Sequence, residues 1–184
     1  MKRGVTGARA VALLRAVNVG GRNRVPMADL RTLLEKTVGL TGVSTYVQSG
    51  NAVFDHRSGD PDALAGRIEA ALRKRFRFDV RVVVRTREEL ARIVRESPFV
   101  REMREPKQVH VAFLSAVPAD PTALDARSVE PDRFAIRGRN VHLWYPDGAG
   151  KARLTGALLE RRLGVAATAR NWNTVTELSR LTSE

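Results

Sequence analysis

Between Ala10 and Arg85 the apolar residues change period four times, and this alternation restricts the chain to a narrow set of folds. Ala10–Asn18 has the look of a strand, apolar on both faces apart from Arg15. Asn18–Pro26 is a loop containing Gly20 and Gly21. Pro26 then opens a helix that places Met27, Leu30, Leu33, Leu34 and Val38 at helical spacing. Gly39 and Gly42 end it. Val43–Gln48 and Ala52–Asp55 are strands, and Ser49-Gly50-Asn51 between them is the chemistry of a tight hairpin. Asp60-Pro61 supplies a cap and a proline for the first helical position. Behind it Leu64, Ile68, Leu72 and Phe76 fall four residues apart, one apolar stripe. Val80, Val82 and Val84 alternate with Arg81 and Arg85, the pattern of a half-exposed strand. The order β-α-β-β-α-β is ferredoxin-like grammar.

The rest of the chain repeats the theme. Thr86 and Glu89 form a capping-box pattern ahead of Leu90, Ile93 and Val94. Pro98 and Pro106 bracket a charged connection. Beyond it come strand Val109–Leu114, a short helix near Pro121–Arg127, and a hairpin of Phe134–Arg137 with Asn140–Tyr145 across Gly138-Arg139. Helices near Lys151–Leu163 and Asn173–Leu181 complete the reading. The fold class expected is α+β, with two ferredoxin-like α/β subdomains plus C-terminal helices. The subdomains are placed at residues 1–86 and 87–184.

At 184 residues the chain is long enough to bury a core without staples. It has no Cys, which excludes disulfides, thiolate nucleophiles and thiolate-held metal, and fits a reducing compartment. The longest apolar run is Ala10–Leu14, far below the ~20 residues that span a bilayer. Met1–Gly7 is basic without the apolar segment of a secretion signal. A cytoplasmic protein with no membrane partner is expected. The formal charge of +12 comes from 27 Arg and 5 Lys against 20 acids. Such a balance favours polyanionic partners: nucleic acid, an anionic membrane surface or phosphorylated metabolites. Heavy use of Arg in a chain rich in Ala and Val also follows from the codon bias of a GC-rich genome.

Four motifs carry candidate chemistry. The loop Asn18–Arg24 joins a strand end to a helix start and bears Gly20, Gly21, Arg22 and Arg24, a setting in which free amides and the helix dipole attract anions. Arg15 on the preceding strand needs a carboxylate or a ligand. The bland alternative is an ordinary turn with solvated arginines. Gly148-Ala149-Gly150-Lys151-Ala152 lacks both the upstream glycine and the Ser or Thr that a phosphate loop requires, though Lys151, Arg153 and Thr155 remain able to join an anion pocket. Ser49 and Asn51 offer a hydroxyl and an amide at a hairpin tip, without the elbow that would make Ser49 a nucleophile. Asn171-Trp172-Asn173-Thr174 begins the last helix, with Asn173 or Thr174 as its cap and Trp172 as packing, or with its amides as ligand contacts. His56, His110 and His142 lack metal-ligand spacing, so no metal or cofactor is expected. A base-stacking sheet is unsupported, since the matching strands offer Phe54 alone.

Three stretches occur together: Ala12-Leu13-Leu14-Arg15-Ala16-Val17-Asn18-Val19-Gly20-Gly21 with Pro26-Met27, Tyr46-Val47-Gln48-Ser49-Gly50-Asn51, and Arg170-Asn171-Trp172-Asn173-Thr174-Val175. In this order and spacing the chain resembles the bacterial family known as domain of unknown function 1697, from about Ala10 to Leu181. The resemblance implies two ferredoxin-like subdomains and no activity. Similar proteins tend to carry Ser-Lys-Leu-Thr where this chain has Ala152-Arg153-Leu154-Thr155, which removes any role for that serine.

The leading functional expectation is a binding module for an anionic, phosphate-bearing ligand: a nucleotide, a phosphorylated metabolite or a nucleic acid. Its candidate residues are Arg15, Asn18, Gly20, Gly21, Arg22, Ser49, Asn51, Lys151, Asn171, Trp172 and Asn173. Two alternatives stay open. One is an enzyme on a small anionic substrate; the other is a structural or interaction protein whose motifs serve turns and caps only.

Overall fold

Leu64, Ile68 and Leu72 do lie on one buried stripe, on a helix packed against a sheet, and the first half of the chain is organised around that contact. The computed structural model describes residues 8–56 and 59–184. Met1–Gly7, the segment read as lacking a secretion signal, and Arg57–Ser58 lie outside the described residues. The first half holds strand β1 (Ala8–Leu14), helix α1 (Met27–Leu33), strands β2 (Thr41–Tyr46) and β3 (Asn51–His56), helix α2 (Pro61–Phe76) and strand β4 (Val82–Thr86). A π-helical turn, Leu34–Val38, prolongs α1. The strands form an antiparallel sheet in the order β2-β3-β1-β4. Ala12, Leu14, Phe54 and Val82 on one face meet Leu30, Ile68 and Leu72 from the helices. Each such fully buried Leu or Ile stabilises the fold by about 1.5–3 kcal/mol.

The second half begins with α3 (Arg87–Arg95) and continues through β5 (Val109–Leu114), β6 (Arg133–Arg137), β7 (Asn140–Trp144), α4 (Gly156–Leu163), β8 (Ala167–Asn171) and α5 (Trp172–Leu181). Its sheet is antiparallel, in the order β6-β7-β5-β8. Ala112, Leu114, Val141 and Leu143 pack with Leu159 and Leu163 of α4. The chain divides into two compact units, one reaching Leu90 and including Leu178–Glu184, the other Ala91–Glu177. Leu178–Glu184 is tied into its unit through Arg9, whose guanidinium donates to Leu181 O at 2.8 Å and to Gly42 O at 3.1 Å. The protein is thus mixed α+β, with two four-stranded antiparallel sheets and five α-helices among the described residues. None of those helices is long and apolar enough to cross a membrane.

Four elements depart from the sequence reading, the first being β4, read as half-exposed but buried through Val82, Val83, Val84 and Arg85. Pro121–Arg127 is not a helix but part of two separate 3-10 turns, because Asp120 takes the Thr122 N–H and Asp125 the Arg127 N–H, each folding the chain locally. α4 starts at Gly156, five residues later than expected, and Ala149–Lys151 is a single 3-10 turn. β8 went unread altogether. Its buried residues are Thr168 and Arg170, with Ala169 and Asn171 exposed, so its alternation is polar on the inner face and invisible to an apolar pattern.

The two units close their sheets in the same way. Leu14 N donates to Gly50 O at 2.8 Å and Arg15 N to Arg81 O at 2.9 Å; Leu114 N donates to Arg139 O and Ser115 N to Ala166 O, both at 2.9 Å. The sequences at these strand ends agree as well. Ala12-Leu13-Leu14-Arg15-Ala16-Val17 stands one hundred residues before Ala112-Phe113-Leu114-Ser115-Ala116-Val117, identical at four of six positions.

Candidate functional site

The loop leaving β1 is shaped by left-handed residues. Ala16, Asn18, Gly20, Gly21 and Asn23 all have φ between +48° and +74°. Gly20 and Gly21 occupy the centre of a turn closed by Arg22 N donating to Val19 O at 3.1 Å. Two successive positive φ values are what glycine is for. No atom lies within 4 Å of where either Cβ would sit, so conformation rather than space selects glycine here.

Asn18 locks this loop to the hairpin beside it. Its Nδ2 donates to Val25 O at 2.9 Å and to Gln48 O at 2.8 Å, while its Oδ1 accepts from Val25 N at 2.9 Å. Both amide hydrogens are therefore engaged by backbone. Asn23 adds a bond from Nδ2 to Ala16 O at 3.2 Å. The hairpin turn is Val47–Gly50, and Asn51 lies not at its tip but within β3, fully buried. Asn51 Nδ2 donates to Tyr46 O at 2.9 Å and to Ser49 Oγ at 3.1 Å. Gly50 (φ +79°) admits no side chain, since a Cβ would stand 2.5 Å from Val17 Cγ2 and 2.8 Å from Leu14 Cβ.

A cleft of about 460 Å³ opens between loop, hairpin turn and the first turns of α1, lined by Asn18, Arg24, Val25, Met27, Arg31 and Gln48 together with Pro26 and Ala28. Two of the lining residues are cationic and none is a carboxylate. Arg31 donates from Nη1 to Thr45 Oγ1 at 2.7 Å, whereas Arg22 and Arg24 are exposed and have no carboxylate partner among the described residues. Arg15 belongs elsewhere. It lines a second cleft, of about 470 Å³, with Glu69, Arg73, Asp79 and Arg81. There Arg73 pairs with Asp79, and Arg81 with Glu69 at 3.3 Å.

The remaining candidates lie in the second unit. Lys151 is exposed on its 3-10 turn. The amides that follow are occupied by a carboxylate of the chain itself: Asp132, 5% exposed, accepts from Arg153 N at 2.6 Å and Leu154 N at 2.8 Å. Thr155 accepts from Leu158 N and caps α4. Asn171 Oδ1 accepts from Thr174 N at 2.9 Å, capping α5; Trp172 is buried and Asn173 exposed. Burial lowers His110 and His142 to a pKa of about 4, so both are neutral near pH 7. His110 packs edge-on against Tyr145 at 5.2 Å.

Sequence reasoning missed Arg31. It lies one position past Leu30 on a helix whose apolar stripe drew the attention, and its spacing of seven from Arg24 has meaning only once the loop is folded back.

With this geometry in view, relatives can be placed. Residues 8–142 match the family described as "Protein of unknown function (DUF1697)". The chain belongs to that family. No curated protein matches it. Among solved structures it is similar to the conserved bacterial protein SP0830 from Streptococcus pneumoniae, with a TM-score of 0.71 at 22% identity, covering 95% of this chain and 98% of that one. At that identity the likeness shows a common fold and nothing further.

Proposed function

We propose that this protein is a binding module for an anionic, phosphate-bearing ligand, held in the cleft between the Asn18–Arg24 loop and α1. The observation that carries the reading is the lining of that cleft, where Arg24 and Arg31 face the same space with no carboxylate beside them. Uncompensated cations around a concave, partly desolvated site attract an anion, and guanidinium groups match phosphate oxygens in fork geometry. Asn18 contributes by holding loop and hairpin in register, not by donating to the ligand, because its N–H groups are engaged. Gly20, Gly21, Ser49 and Asn51 act in the same shaping role. The fold reading that accompanies this is of two ferredoxin-like subdomains, residues 1–86 and 87–184, supported by the β-α-β-β-α-β order of the first half. The absence of Cys supports a cytoplasmic setting.

A second reading, that the motifs serve turns and caps only, draws support from the engaged side chains of Asn18, Asn51 and Asn171. The two are separated by Arg22→Ala combined with Arg24→Ala, both exposed. Under the binding reading, the affinity for a fluorescent nucleoside triphosphate falls about tenfold, or ~1.4 kcal/mol, while the melting temperature stays nearly unchanged. An unchanged affinity, or no binding by the native protein, leaves the structural reading standing.

A further inference from the structure

Both arginine-lined clefts lie at one end of the first unit, and the topology explains why. β1 ends where β4 begins, as the Arg15 N to Arg81 O bond records. The same end receives the β2–β3 turn, through Asn18 Nδ2 to Gln48 O, and the last turn of α2, through the pair of Arg75 with Asp29 at 3.4 Å. Two segments supply this end: residues 15–31 and 69–81. Together they carry nine cations and three carboxylates, half of the chain's formal +12. All three carboxylates are already engaged: Asp29 by Arg75, Asp79 by Arg73 and Glu69 by Arg81. Arg22 and Arg24 on the loop, and Lys74 and Arg77 at the end of α2, have no carboxylate partner among the described residues, and all four are exposed.

A single phosphate needs one cleft. Two clefts of about 460 and 470 Å³ at one end, the first lined by Arg24 and Arg31 and the second by the stretch of α2 that leads on to exposed Lys74 and Arg77, suit a ligand that carries phosphates at intervals. We infer that this end of the first unit binds a single-stranded nucleic acid through its phosphodiester backbone, one stretch at Arg22, Arg24 and Arg31, the next at Lys74 and Arg77 beside the Arg73–Arg81 cleft. The inference rests on the loop cleft being an anion site and extends it to a polymer. Backbone contact, not base stacking, provides the affinity. The sheet face that would stack bases is closed, since Val11, Leu13 and Val53 are all fully buried. An anionic lipid surface is the less suitable partner, because a flat layer of headgroups reaches neither concave cleft, and the apolar residues exposed here are Val19 and Val47, not the large side chains that anchor proteins at membranes.

The test is fluorescence anisotropy of a labelled 20-nucleotide RNA strand across a salt series, with a labelled nucleoside triphosphate and vesicles rich in phosphatidylserine in parallel. Four to five backbone contacts predict a slope of log K against log salt of about −3. Lys74→Gln with Arg77→Gln should weaken RNA binding about tenfold and reduce the slope by roughly 1.4, while leaving nucleotide binding unchanged. Nucleotide binding with RNA no tighter, or RNA binding indifferent to Lys74 and Arg77, overturns the polymer inference and leaves the cleft reading intact. Binding of neither overturns both. Vesicles bound in preference to RNA overturn the nucleic-acid assignment. Circular dichroism of the variants, whose side chains are exposed, controls for folding.

Discussion

A carboxamide carries two N–H donors and a carbonyl acceptor in one plane, and Asn18 directs all three at backbone groups of two different segments. No other side chain of its size does this. Asn18→Asp keeps the shape but turns both donors into acceptors facing Val25 O and Gln48 O. Each lost bond costs about 1 kcal/mol and the unpaired carbonyls add to it, so the substitution should cost roughly 2–4 kcal/mol in a urea titration. A loss below ~0.5 kcal/mol, the range of ordinary surface changes, would mean the loop holds its shape by other means. Val47 sits on the opposite side of the same clamp with φ +51°, a conformation that a β-branched residue rarely adopts. Its side chain is 48% exposed and contributes little packing. Val47→Asn, which tolerates that region, should stabilise the protein by about 1 kcal/mol, and a lower melting temperature would show that the valine is held there by contacts of its own.

At the level of elements, what the sequence makes plain is what apolar spacing can encode. Leu64, Ile68 and Leu72 announce α2, Val82 and Val84 announce β4, and Gly50 announces the hairpin, each because one physical demand chooses the residue. β8 escapes because the residues it turns inward are Thr168 and Arg170, and Arg170 is held in place by bonds from Nη1 to Thr168 Oγ1 and Ala169 O rather than by apolar packing. Burial lowers its pKa to about 10, still charged at neutral pH. The candidate site divides along the same line. Asn18–Arg24 is legible as a loop of glycines and arginines, but its pairing with Arg31, and its separation from Arg15, depend on which way the chain turns after Leu14. The likeness of Asp132 to a bound anion is harder still to foresee, because the amides of Arg153 and Leu154 lie 21 and 22 residues away from it.

For the whole molecule, acid is the informative perturbation. His110 packs against Tyr145; His142 responds to Arg137, which lowers its pKa further, and to Glu96, which opposes this. With folded values of about 4 against 6.5 in the unfolded chain, the unfolded state binds more protons throughout that window. Stability is therefore full above pH 6.5 and declines as pH falls toward 4, by up to about 1.4 kcal/mol per pH unit for each histidine. His142→Leu should flatten the decline when melting temperature is followed between pH 7 and 4.5, and an unaltered slope would assign the effect to other groups. The return of Leu178–Glu184 to the first unit, where Leu181 accepts from Arg9, matters at a different time in the life of the protein. A ribosome releases these residues after every strand of both sheets, so the first unit is translated early yet acquires these contacts only once the whole of Ala91–Glu177 has been made. Until then the nascent chain carries the basic end of that unit, residues 15–31 and 69–81, without the bond from Arg9 to Leu181 O that ties its later residues in.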